Sequence, residues 1–187
     1  FKAGKLKKLP QDEVASRVAE VRFLRAFAYQ ELAKFHGGVI LRISEDKVDD
    51  QQENAKPRAS ETETWNFILG EYDKAIADLP ESWSDGDYGR ITRQGAQAMK
   101  ARAALYAERW DEAYTAADNV IKSGKYQMSG NLGDIYTNPA NSEIIIPVLF
   151  EQGKKQHNFD TYMCPPSFAA TMGYTGQYGA AATPTEE

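Results

Sequence analysis

Residues 104–121, ALYAERWDEAYTAADNVI, decide how this chain folds. They end one helical pattern and begin another, with a brief turn at 108–110 between them. The helix before the turn opens at Thr92, a residue suited to cap it, and is filled with small residues: Gly95, Ala96, Ala98, Ala101, Ala103, Ala104 and Ala107. Small side chains let a partner helix come close. The helix after the turn spans about 111–123 and stops at Gly124. Two short antiparallel helices joined in this way form a helical hairpin.

Upstream, apolar residues fall at Val14, Val18, Val21, Leu24, Ala28, Leu32 and Phe35, in steps of three and four that mark one helical face. Phe23 and Phe27 widen this stripe, and Arg17, Glu20, Arg25, Gln30 and Lys34 supply the polar side. The stripe is expected to face the core, with Gly37-Gly38 as the C-terminal stop. A polar loop over 43–57 leads to a second helix, which opens at Ser60 with a capping box to Glu63. Its core stripe is Trp65, Ile68, Leu69, Tyr72, Ile76 and Leu79, and Pro80 ends it. Downstream of Gly124 the pattern changes. EIIIPVLF (143–150) reads as an edge strand carrying Pro147, and the rest, to 187, as long loops. The expected fold is mostly α: a helical-repeat scaffold over 11–124, then a loop-rich segment over 125–187 with one minor β element.

At 187 residues the chain can hold one domain with a sizeable core. With 42% hydrophobic and 26% charged residues it is globular. A net charge of -5 argues against nucleic acid as the main partner, since phosphate binding needs a basic face. The single cysteine, Cys164, excludes an internal disulfide and a cysteine-based zinc site, and it reads as a buried small hydrophobe. No run approaches the roughly 20 apolar residues of a membrane-spanning helix. No signal-peptide pattern is present, and both ends of the sequence read as cut from something longer.

The opening stretch has the heart of a tetratricopeptide unit: small residues packing its first helix, Trp110 at the turn and Ala113 entering the second helix. Glu108 stands where the repeat usually has glycine. YDKAIADLP (72–80) has the same second-helix character.

In this setting the chain resembles the SusD/RagB-like glycan-binding lipoproteins of the outer membrane. The resemblance rests on landmarks in order: RFLRAFAYQELAKFHGGV, PRASETETWNFILGEYDKAIADLPE, the run from Gly89 to Tyr126, then NSEIIIPVLF, PPSF and TPTEE. It covers nearly all of the chain from Val18 onward. Ile40 departs from the family's usual proline and Glu186 from its usual glutamine. The resemblance implies a non-enzymatic protein, lipid-anchored at the outer surface of the outer membrane. Such a protein would hold an oligosaccharide over a SusC-like, TonB-dependent transporter. The lipid-bearing segment and a C-terminal part would lie outside these residues.

Candidate chemistry is sparse. His36 has no patterned serine, cysteine or carboxylate partner and reads as a helix ending, where an imidazolium favours the dipole. In SDGDYG, Asp85 and Asp87 are spaced like the first ligands of a calcium loop, but Ala96 stands where the closing glutamate belongs. GYTGQYG (173–179) lacks the spacing of a dinucleotide fingerprint. Of the 27 acidic residues, neither Asp49-Asp50 nor Glu186-Glu187 forms a singled-out pair of the kind glycosidases use. No catalytic residue, cofactor or metal is expected. Trp65 and Trp110 fall on core positions. Trp83, Tyr88, Tyr174 and Tyr178 lie on loops, and they are the expected glycan contacts because sugar C–H faces stack on aromatic rings. Two other functions fit the helices: an adaptor binding peptides in a concave groove, and a helical glycoside hydrolase.

Overall fold

The computed structural model describes residues 10–43, 52, 55–138 and 140–149. The described elements through Pro147 belong to one compact unit. They comprise α1 (Gln11–His36), α2 (Glu61–Asp78), a 3-10 turn (Asp85–Asp87), α3 (Arg93–Tyr106), α4 (Trp110–Lys122) and the short α5 (Gly133–Thr137). The first four helices pack in succession, α1 on α2, α2 on α3 and α3 on α4. No helix among the described residues is long and apolar enough to cross a membrane.

Local chemistry sets the helix ends. Ser60 Oγ accepts from the Glu63 amide while the Glu63 carboxylate accepts from the Ser60 amide, a complete capping box. Thr92 Oγ1 accepts from the Gly95 amide at 3.1 Å and opens α3. α1 has Asp12 and Glu13 in its first turn and Lys34 and His36 in its last, the charge order that its dipole favours. Gly37, at φ 65°, ends it. Arg58 donates to the carbonyls of His36 and Gly38, taking up acceptors that the helix leaves open. A Cβ on Gly38 would lie 2.1 Å from the Ala59 carbonyl oxygen, so only glycine allows this crossing. His36 is exposed and forms the helix ending, as its setting implies.

The core is centred on α2. Trp65, Ile68, Leu69, Tyr72 and Leu79 are all buried, as the stripe predicts, with Ile76 partly so. α1 behaves differently. The residues it buries are Ala19, Phe23, Ala26, Gln30 and Ala33. The stripe expected to face the core is turned away from it: Leu24 is 60% and Phe35 77% exposed, and Val18, Val21, Phe27 and Leu32 are exposed as well. The reason is volume. α2 supplies large side chains, and small ones opposite them let the helices close without voids. Phe23 meets Tyr72 edge to face with ring centroids 5.7 Å apart. Tyr72 donates a 2.7 Å hydrogen bond to Gln30 Oε1, which satisfies that buried oxygen. Burial pushes the Tyr72 phenol well above its ordinary range.

α3 and α4 form the expected hairpin, and Ala96, Ala101, Ala103 and Ala104 of α3 and Ala113, Ala116 and Val120 of α4 are all buried. Glu108 adopts φ 57° in the turn, the left-handed conformation that glycine would take. This costs a β-carbon-bearing residue about 1–2 kcal/mol. Trp110 is not core; it is 63% exposed at the start of α4. The indole beneath the turn is instead Trp65, stacked on Tyr106 at 6.4 Å.

The described residues hold no strand. Residues 143–149 run through turns and irregular backbone: the described residues offer no strand to pair with them, and Pro147 has no amide hydrogen to donate. Ile146 nonetheless packs on the core.

Candidate functional site

Pro80 ends α2, and the chain must turn back before α3 begins. It does so as a tied loop. The Arg93 amide bonds the Pro80 carbonyl at 2.9 Å, and Trp83 Nε1 donates to the Ile91 carbonyl at 2.7 Å. The Arg90 guanidinium lies 3.5 Å from the Trp83 ring centroid. From there it reaches Glu20 of α1 with two bonds, 2.9 and 2.7 Å, and Asp87 at 3.1 Å. The bidentate geometry fixes the loop on α1.

A second segment arrives from the other side. Beyond Gly124, at φ 65°, Lys125 donates to both the carbonyl and the carboxylate of Glu81 at 3.0 Å. The Gln127 amide bonds the Ser142 carbonyl, and the Ser129 amide bonds the Glu143 carboxylate. These ties bring 140–147 back alongside. The loop and the returning segment enclose a hollow of about 480 Å³, walled by Trp83, Tyr88, Tyr126, Ile144 and Pro147 with Ser82, Ser84 and Thr92 among them. That volume lies within the range of small-molecule sites.

The electrostatics are closed. The Asp87 carboxyl is held below the usual carboxylate range by hydrogen bonds from Arg90, then from Ser84. Glu81 is held low by its bond to Lys125. The bond to Glu20 raises the proton affinity of Arg90 further. Both lining carboxylates are therefore ionised at neutral pH and occupied. Neither is fitted to serve as the protonated acid that glycosidic cleavage needs.

Two of the loop aromatics predicted from sequence meet here. Trp83 is half-buried, with its N–H bonded and one ring face covered by Arg90, so it fixes the loop as well as forming a wall. Tyr88 is 46% exposed at the rim. Tyr174 and Tyr178 lie outside the described residues, as does Cys164. Tyr126 and Ile144 were missed. No local signal marks Tyr126, two residues past a helix stop, and only the Lys125–Glu81 tie carries it to the hollow. Asp87 of the calcium-like motif is committed to Arg90 and Ser84, and among the described residues no group of three or more His, Cys, Asp or Glu is placed to hold a metal ion.

Two smaller hollows differ in character. One of about 300 Å³ runs between α2, α3 and α4, and it is bridged by the Lys100 ammonium, 2.6 Å from Asp73. The other, of about 270 Å³, sits at the α3–α4 turn beside Tyr106.

Comparison with known proteins points one way. The SusD-like family described as starch-binding and associating with the outer membrane matches residues 5–105, more than half of the chain. The SusD-like protein P38 of Formosa agariphila is 26% identical over 136 residues, 73% of this chain and 26% of its own length. The crystal structure of a SusD-like protein from Bacteroides fragilis is 35% identical, with a TM-score of 0.69 over 79% of this chain and 30% of that one. A laminarin-binding SusD-like protein shares the fold at 23% identity and a TM-score of 0.65, over 74% of this chain and 32% of its own. The chain thus spans about a quarter to a third of these relatives.

Proposed function

We propose a non-catalytic, glycan-binding role for this protein from one premise: the chain belongs to the SusD-like family. In this reading it holds oligosaccharide at the outer surface of the outer membrane, anchored by lipid, and passes it to a SusC-like, TonB-dependent transporter. The observation that carries the binding role is the hollow beside the 79–92 loop. Rings, hydroxyls and apolar walls converge there, while every lining carboxylate is neutralised by a bonded cation. Such a site can hold sugar and has no group poised to cleave it. The laminarin-binding relative supports the same ligand class.

The test is titration calorimetry of the protein against a panel of oligosaccharides, followed by assay of each bound glycan for new reducing ends. Binding without release over hours is expected. Turnover that survives repurification, and that vanishes on changing one specific carboxylate, would replace this reading with a hydrolase.

A further inference from the structure

We infer that the hollow between the 79–92 loop and the 125–147 segment selects an uncharged oligosaccharide, which it grips through Tyr88 and Tyr126. This inference rests on the glycan-binding reading and adds the site and the class of sugar.

The argument is one of charge. The hollow is lined by two carboxylates, Glu81 and Asp87, and two cations, Arg90 and Lys125. Arg90 already spans Glu20 and Asp87, and its flat face is spent on Trp83. Lys125 is bound to the carboxylate and the carbonyl of Glu81. Outside the lining, Arg93 acts on Glu81 and Arg17 on Asp87. Arg93 bonds Glu81 and the Leu79 carbonyl, and Arg17 pairs with Glu13 and Glu20. A uronate or sulfate entering here would meet no uncommitted cation among the lining side chains. It would have to break an existing pair or lie beside an ionised carboxylate, and both are unfavourable.

A neutral sugar meets neither obstacle. Its hydroxyls find those of Ser82, Ser84 and Thr92, and its C–H faces find the tyrosine rings, Ile144 and Pro147. A tyrosine offers both ring and hydroxyl, which suits a ligand polar at its edge and apolar on its face. Trp83 is a positioning residue: with its N–H and one face engaged, its removal would release the loop. Tyr88 and Tyr126 are therefore the residues to change.

The experiment compares the protein with its Tyr88→Ala and Tyr126→Ala variants against matched neutral, uronate-bearing and sulfated oligosaccharides, with melting temperatures recorded for each. Neutral sugars should bind best, and at least one variant should lose about tenfold or more in their affinity at an unchanged melting temperature. If an alanine variant melts lower, the leucine variant at the same position keeps apolar volume but removes the ring, and the same loss is expected of it. Binding confined to charged sugars would overturn the inference while leaving the glycan-binding reading intact. So would full neutral affinity in both positions' variants. Failure to bind any glycan would overturn both.

Discussion

α1 and α2 lie against each other, yet they bury opposite kinds of residue. α2 presents Trp65, Ile68, Leu69 and Tyr72, while α1 answers with Ala19, Ala26 and Ala33, and with Phe23 and Gln30 at the intervening positions. The large aliphatic residues of α1 stand on its other face, where Leu24 is 60% exposed. The difference shows what decides orientation in a close-packed helix pair. The interface must be filled to crystal-like density, so bulk on one side requires smallness on the other. The most hydrophobic face of a helix is not always the face that fits.

The comparison can be broken most forcefully at Tyr72. Tyr72→Ala removes a ring with no exposure and orphans Gln30, and it should cost the 187-residue chain about 3–5 kcal/mol in chemical denaturation. A loss under about 1 kcal/mol would mean that α2 does not supply the volume of this interface. Ala26→Leu tests the opposite partner. Ala26 is wholly buried, and the added methylenes should cost about 1–3 kcal/mol by overpacking. An unchanged midpoint would show that the helices do not approach closely there.

A pH-dependent effect sharpens the same contact. Arg25 of α1 bonds Glu71 of α2, a carboxylate whose side chain is only 2% exposed and which Lys74 also reaches at 3.0 Å. Burial raises its pKa, but the bonds from Arg25 and Lys74 outweigh this and hold it below the ordinary carboxylate value. The folded state therefore binds this proton less readily than the unfolded chain. Its contribution is fully present above the unfolded value, about pH 4.3, and disappears as pH falls through the lower folded value. Urea midpoints measured from pH 7 down to pH 3 should fall less steeply for Glu71→Gln than for the parent. Identical acid dependence would remove Glu71 from the account. The smallest effect is expected on the outer face of α1, where Leu24→Gln should change stability by no more than about 0.5 kcal/mol. A loss of about 2 kcal/mol would show that this face is covered in the 187-residue chain and would collapse the contrast.

How much was legible varies by element. α2 was readable throughout, because its capping box, its stripe and Pro80 agree. The α3–α4 hairpin was readable from its alanines, although Glu108 takes a backbone conformation that its residue type disfavours. α1 was readable as a helix and misread in its facing: two apolar stripes compete on it, and periodicity cannot rank them. Trp110 was misread for a related reason, since the repeat pattern assigns it a packing position while Trp65 fills the space under the turn. At the candidate site, Trp83 and Tyr88 could be named because aromatic residues in a polar loop stand out. Tyr126 and Ile144 could not, since Tyr126 reaches the hollow through the Lys125–Glu81 tie and Ile144 through the Gln127–Ser142 and Ser129–Glu143 bonds.

The sequence by itself determined the first four helices, with their caps and their breaks, though not the short α5. These depend on groups within four or five residues of one another, where capping hydrogen bonds and backbone preferences act without help from the rest of the chain. It also carried the landmarks of the SusD-like family. Only the tertiary structure decided which face of α1 is buried, whether 143–149 pairs as a strand, and which rings share a hollow. Each of those depends on the shape and charge of a partner distant in sequence: Tyr72 for Phe23, Glu20 for Arg90, Glu81 for Lys125. Local patterns fix conformation, whereas complementarity between distant surfaces is created only when they meet.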